Sequence, residues 1–203
     1  MNLSIFFTTL LLLLLFSYLA GSTNGSIIFS KFLKKEDPRQ YGSKNPGATN
    51  ILRSGNKTLA LSTLIFDMSK GFLPVFIAYF LTDSKALLQI IGICAVFGHI
   101  FPIYYKFKGG KGVATSFGAI LGFDLVLGLI CLLTWLMTAF LFRYSALSAI
   151  VSFIFLPIYT WFSYENILIT SLYLSLALIV IYMHKSNIKN LLNNKETKIG
   201  DKN

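Results

Sequence analysis

Six apolar runs, residues 3–20, 59–81, 86–105, 123–142, 147–162 and 167–183, dominate this chain. About 20 apolar residues suffice for an α-helix to cross a bilayer, and these runs leave little sequence for a separate soluble domain. With 55% hydrophobic and only 13% charged residues, the 203-residue chain has too little polar surface to coat a soluble globule. The expectation is an all-α integral membrane protein forming one domain over 1–203. The first run, with its leucines at 10–15 and small residues Ala20, Gly21 and Ser22, also admits a reading as a cleaved signal peptide. No Lys or Arg precedes it, however, and the basic residues follow it, which is the wrong order for such a signal. Cys94 and Cys131 both sit inside apolar runs, where cysteine behaves as a small hydrophobe, and no second pair frames a metal site.

The net charge of +10 becomes informative once it is mapped. Lys31, Lys34, Lys35, Arg39, Lys44, Arg53 and Lys57 occupy the first connector; Lys106, Lys108 and Lys111 another; Arg143 a third; Lys185, Lys189, Lys195, Lys198 and Lys202 the tail. Basic loops favour the cytoplasmic side, so these sixteen of the eighteen basic residues should share it. A single helix over residues 113–142 would run ~45 Å, overshooting a hydrocarbon core of ~30 Å, and would strand Arg143 and the tail on the far side. Breaking the run at Gly122, Phe123 and Asp124 gives a short helix and a full one and returns every basic cluster to one face. The expected topology is therefore seven transmembrane helices, N-terminus outside and C-terminus cytoplasmic, with short outer connectors at 82–85, 122–124 and 163–166. The basic tail itself reads as a solvated, lipid-attracted end.

Four polar segments interrupt the oily pattern: residues 37–50, which include GSKNPGATN; GHIFP at 98–102; FKGGKGVAT at 107–115; and HKSN at 184–187. Glycines let successive backbone amides converge on an anion. In Gly109, Gly110, Lys111 and Gly112 they flank a cation, just ahead of a helix whose positive end would point at the same spot. This outlines a phosphate cradle, although not a P-loop, which requires Ser or Thr where Gly112 stands. Ser43, Asn45, Thr49, Asn50 and Arg53 add hydroxyls, amides and a guanidinium on the same expected face. Thr49 and Asn50 equally suit caps or turns, and Arg53 suits a headgroup anchor. His184 and Asn187, three residues apart, share a helical face and suit a common substrate. His99 ends a span and suits either a substrate contact or a structural hydrogen bond. Asp67 and Lys70, at the same spacing inside a span, read as an ion pair holding the bundle.

Several chemistries have no motif here. The sequence contains no HExxH, no carboxylate cluster suited to a divalent metal and no GxSxG elbow. Tyr104 and Lys189 stand where an HxxxxD acyltransferase dyad would place its aspartate after His99 and His184.

The segments GSKNPGATN with Arg53 beyond it, FDMSKG at 66–71, GHIFP running into FKGGKGVAT, and HKSNIKNLL followed by KETKIG resemble, in order and over nearly the whole chain, the bacterial acyl-phosphate:glycerol-3-phosphate acyltransferases, the PlsY family. The resemblance implies a seven-helix enzyme of the bacterial inner (cytoplasmic) membrane. Such an enzyme transfers a fatty acyl group from acyl phosphate to the 1-hydroxyl of glycerol 3-phosphate, giving lysophosphatidic acid and inorganic phosphate. It works without cofactor or metal, with its active site facing the cytoplasm. The implied partners are acyl phosphate, glycerol 3-phosphate, membrane lipid and, by functional link, the enzyme that makes acyl phosphate; nucleic acid is not among them. Ser43, Lys111, His184 and Asn187 are the implied catalytic set. Asn45, Gly47, Thr49, Asn50, Gly109, Gly110 and Gly112 would line the acyl-phosphate site, Arg53 would join His184 and Asn187 in holding glycerol 3-phosphate, and His99 and Ser145 would be further substrate contacts. The stretch at 143–148 departs from the family in carrying Ala146 where a second serine often stands, so the contact falls to Ser145 or Ser148. A membrane transporter or binding protein for phosphorylated metabolites, and an acyl-CoA-dependent acyltransferase, are the alternative readings.

Overall fold

In a computed structural model, which describes residues 3–201, short polar residues start half of the ten α-helices. Asn24 accepts from the Ile27 amide to open α2 (Gly25–Phe32) behind α1 (Leu3–Ser22), and Asn56 accepts from Leu59 to open α4 (Lys57–Tyr79) behind the short α3 (Ala48–Arg53). Ser84 does the same for α5 (Lys85–Ile100). Each side-chain oxygen satisfies an amide that the first helical turn leaves unpaired. The expected break at 122–124 is present. Here α6 (Val113–Phe123) stops, and Asp124, extended at φ −153°, accepts from the Leu127 amide to begin α7 (Leu125–Phe142). Arg143 and Glu165 take left-handed φ of 63° and 45° to turn into and out of α8 (Ser145–Tyr164). The chain ends in α9 (Ile167–Met183) and α10 (Lys185–Leu192), bent by 59° at His184.

Among the described residues, five helices are long and apolar enough to cross a membrane, or six when the bent pair of α9 and α10 counts as one span. The seventh expected crossing, α6, has 11 residues, a rise of only ~16 Å, which is why it fails the length of a span. Short helices α2, α3 and α10 lie in stretches read from the sequence as connectors and tail. The outward surface suits lipid: Phe140 is 82% exposed and Phe162 79%.

Two ends of the bundle differ in chemistry. At one, the three short connectors meet: Tyr164 donates to Asp124, and the Lys85 ammonium sits 4.3 Å from the Tyr164 ring centre. At the other, the polar segments meet. Between them, α4 packs most extensively on α6 and α1 on α5. The expected ion pair joins Lys70 to Asp67 at 2.8 Å, with both side chains buried. Lys70 also donates to the Thr23 carbonyl and the Gly25 amide to Asp67, so the pair ties the turn between α1 and α2 to α4.

The tail corrects an expectation. Lys195 and Lys198 are exposed, as a solvated end would be, but their neighbours fold back onto the protein. Arg53 donates to the Thr197 carbonyl at 2.7 Å, and the Ile199 amide to the Arg143 carbonyl at 2.6 Å. Lys195 and Lys198, three residues apart, stay exposed, while Glu196 is buried and Thr197 and Ile199 are half-buried. Lys202, counted in the basic tail, lies outside the described residues.

Candidate active site

Gly112 adopts φ 86° as the cap of α6, a left-handed turn that a residue with a Cβ rarely takes, and this turn aims Lys111 away from α5 into a cavity of about 400 Å³. The opposite wall comes from the first connector: Ser43, Asn45, Gly47, Thr49 and Arg53 line the same space, as do His99, Ser145, His184 and Asn187. Segments more than a hundred residues apart in sequence thus share one chamber. Beyond this polar rim the cavity runs along Leu61, Leu64, Met68, Phe117, Leu132 and Trp135, an apolar extension of the kind that receives a hydrocarbon chain. A second, polar cavity of about 530 Å³ shares Ser43, Arg53, Lys111, Asn187 and Glu196 with the first.

Electrostatics follows from this enclosure. Lys111 donates to Asn187 Oδ1, and the Asn187 amide donates to Glu196 Oε1 at 2.9 Å, which in turn stands 3.7 Å from the Arg53 guanidinium. Burial pulls the Lys111 ammonium down to about 8, against the attraction of Glu196 and with the help of nearby Arg53. Arg53 keeps its Nε buried with no hydrogen-bond partner among the described residues. His184 Nδ1 lies 2.8 Å from the Val180 carbonyl. That contact fixes the proton on Nδ1 in the neutral ring and leaves Nε2 as the acceptor.

Three expected contacts are bonded or packed against neighbouring backbone and side chains. Gly109 and Gly110 are absent from the cavity walls; the Gly110 amide donates to the His99 carbonyl at 3.1 Å, and a Cβ on Gly110 would fall on the His99 ring. These glycines seat the loop flush against the end of α5, and Lys111 and Gly112 are the residues of this turn that line the cavity. Asn50 lines the cavity, but its amide donates to the Pro38 and Tyr41 carbonyls and its oxygen accepts from the Ser43 amide at 3.0 Å. Its side chain holds the loop that presents Ser43. Of the two serines, Ser145 Oγ lies 3.1 Å from Thr49 Oγ1 at the cavity wall, whereas Ser148 is buried and donates to the Tyr144 carbonyl of its own helix.

Glu196 and Trp135 were missed by the sequence reading. A glutamate in a lysine-rich tail gives no local signal of burial; its only flag is membership of the KETKIG segment. Trp135 lies in a helix apolar all round, where periodicity singles out no face. Among the described residues, no three His, Cys, Asp or Glu side chains gather in a way that suits a metal ion.

Comparison with known proteins places this geometry in context. A family model described as glycerol-3-phosphate acyltransferase matches residues 11–194. The glycerol-3-phosphate acyltransferase of Methylococcus capsulatus is 45% identical over 191 residues, which span 94% of this chain and 96% of that protein. That of Francisella tularensis subsp. holarctica is 45% identical over 190 residues, 94% of this chain and 93% of its own. The crystal structure of PlsY, an integral membrane glycerol 3-phosphate acyltransferase, in its glycerol 3-phosphate form superposes with a TM-score of 0.89 at 33% identity, covering 95% of this chain and 96% of that one. Its lysophosphatidic acid form gives 0.86 at 32%, with the same coverage.

Proposed function

This chain belongs to the glycerol-3-phosphate acyltransferase family, and from that premise we propose that it moves a fatty acyl group from acyl phosphate to the 1-hydroxyl of sn-glycerol 3-phosphate. One observation carries the reading: a rim of Lys111, Arg53, Asn187, Ser43 and Thr49, rich in donors and cations, opens onto an apolar wall in the same chamber. A phosphorylated polar substrate and a long-chain acyl phosphate need that combination. The acyl phosphate brings its own leaving group, so the protein has to orient and neutralise more than to supply a nucleophile. The glycerol hydroxyl oxygen forms the new ester bond to the acyl carbon, the bond from that carbon to the phosphate oxygen breaks, and the hydroxyl proton passes to the departing phosphate. Lys111 stabilises charge gathering on that phosphate. Arg53, His184 and Asn187 hold glycerol 3-phosphate, and Ser43 with Asn45, Gly47 and Thr49 holds the acyl phosphate. Asn50 shapes the loop around them.

The same reading gives seven crossings, with α6 as a short one, the N-terminus outside and the site facing the cytoplasm across the bacterial inner membrane. The meeting of the three short connectors at the end away from the site supports this arrangement. Sealed vesicles test donor and sidedness together. Inside-out vesicles given labelled glycerol 3-phosphate should form lysophosphatidic acid with palmitoyl phosphate but not palmitoyl-CoA, in the presence of chelator, and right-side-out vesicles should not. Equal use of both donors, or activity only from the outer face, contradicts the reading.

Lys111 adds a pH signature. With its ammonium titrating at about 8 in the free protein, the charge is present below that pH and is lost as pH rises through it. The kcat/KM profile should therefore fall above about pH 8, while the limb in kcat lies higher because bound phosphate favours the protonated form. A kcat/KM that stays level from pH 7 to well above 9 would remove Lys111 from the role of cation.

A further inference from the structure

Among the described residues, two carboxylates line the cavity, Asp67 and Glu196. Asp67 is bonded to Lys70 at 2.8 Å inside the bundle. Glu196 instead sits at the junction of the two cavities, its side chain 3% exposed, accepting from Asn187 and lying 3.7 Å from Arg53. Lys111, Arg53 and Asn187 are the groups assigned above to substrate phosphate. We propose that Glu196 is a resident anion occupying the phosphate's place in the empty site, and that an incoming phosphate competes with it and displaces it. The inference rests on the reading that Arg53 and Lys111 receive phosphate.

Charge balance gives the reason. Two enclosed cations with no anion between them are costly, and Glu196 offsets one of the two charges while no substrate is bound, leaving a net positive site. A carboxylate and a phosphate within a few ångströms in a poorly screened chamber repel each other, so full engagement of the phosphate requires Glu196 to withdraw. The strap is built to allow this, because it has two independent anchors. The inner one is Glu196 with Asn187, and Thr197 with Arg53. The outer one is Ile199 and Asp201 with Arg143, and Lys198 over the Tyr144 ring, none of which lies in the cavity. Left-handed residues, Asn194 at φ 56° and Gly200 at φ 92°, bracket the segment. Breaking the inner anchor leaves the outer one in place. Competition of this kind weakens ground-state binding of every phosphate-bearing species, which favours release of anionic products.

Glu196→Gln preserves shape and the acceptor for Asn187 while removing the charge. KM for glycerol 3-phosphate and the inhibition constant of inorganic phosphate should both fall, roughly 3- to 10-fold; a purely architectural Glu196 predicts that both rise or stay unchanged, which overturns the proposal. Hydrogen–deuterium exchange on the unaltered protein gives a test free of any folding defect. Saturating inorganic phosphate should speed exchange at residues 195–198 and leave 199–201 as before, and slower or unchanged exchange at 195–198 overturns the proposal. If Arg53→Ala and Lys111→Ala leave KM and phosphate inhibition untouched, the assignment of the phosphate site fails instead. If they raise both while the Glu196 results run opposite to expectation, only the competing anion fails.

Discussion

Lys111→Ala should lower kcat/KM for acyl transfer on the order of 10³-fold, with most of the loss in kcat, while the protein extracts, elutes and melts like its parent. The magnitude follows from what the ammonium faces. Loss of one preorganised charge or donor at a developing anion costs ~10²–10³ in rate, and Lys111 also supports binding of the ground-state phosphate. The fold should survive because the Lys111 side chain bonds Asn187 across the cavity rather than filling the core, and Val113 and the helix behind it are held by their own packing. Lys111→Arg should rescue little: a guanidinium is larger, and the chamber already holds the Arg53 guanidinium and Glu196. A Lys111→Ala protein within about tenfold of the parent would mean that the leaving phosphate sits elsewhere in the cavity.

The sequence made legible whatever depends on local composition. Apolar runs marked the long helices, and the placement of Arg143 and the tail lysines called for a break at 122–124, where Asp124 does end one helix and cap the next. Side chains at the chamber rim were legible too, because Ser, Thr, Asn, Arg and Lys in an oily chain have few reasons to be there, and Ser43, Thr49, Arg53, Lys111 and Asn187 converge. Direction was not legible. Gly109 and Gly110 belong to the same four-residue turn as Lys111, yet the backbone presents one to the cavity and packs the others against His99 and Pro102. Asn50 and Thr49 are neighbours, yet one braces the loop and the other meets Ser145. Long-range burial was the least legible of all. Glu196 is buried because Arg53, far back in the chain, and Asn187, nine residues before it, receive it, and the lysines around it give no sign of that.

The second large effect is expected from packing rather than charge, at the contact of α4 with α6. Gly71 and Gly118 face the opposing backbones: a Cβ on Gly71 would collide with the Thr115 carbonyl, and one on Gly118 with the Met68 carbonyl. In a membrane, where lipid tails are as apolar as leucine, close approach through small residues supplies much of the packing energy between helices. A backbone carbonyl cannot rotate aside as a side chain can, so a larger residue forces the helices apart along their whole contact. Gly118→Leu should therefore cost about 3 kcal/mol or more, at or above the upper end of ordinary overpacking, and lower the melting temperature in detergent on the order of 10 °C. Activity should go with it, since the loop of Lys111 and Gly112 leads directly into α6 while α4 carries the Asp67–Lys70 pair and the Leu61 and Leu64 wall of the chamber. Comparison with Lys111→Ala separates the two causes: one variant is stable and inactive, the other unstable and inactive. If Gly118→Leu melts and turns over like the parent, α4 and α6 do not pack backbone to backbone, and the geometry that brings the Lys111 loop to the first connector has to be redrawn.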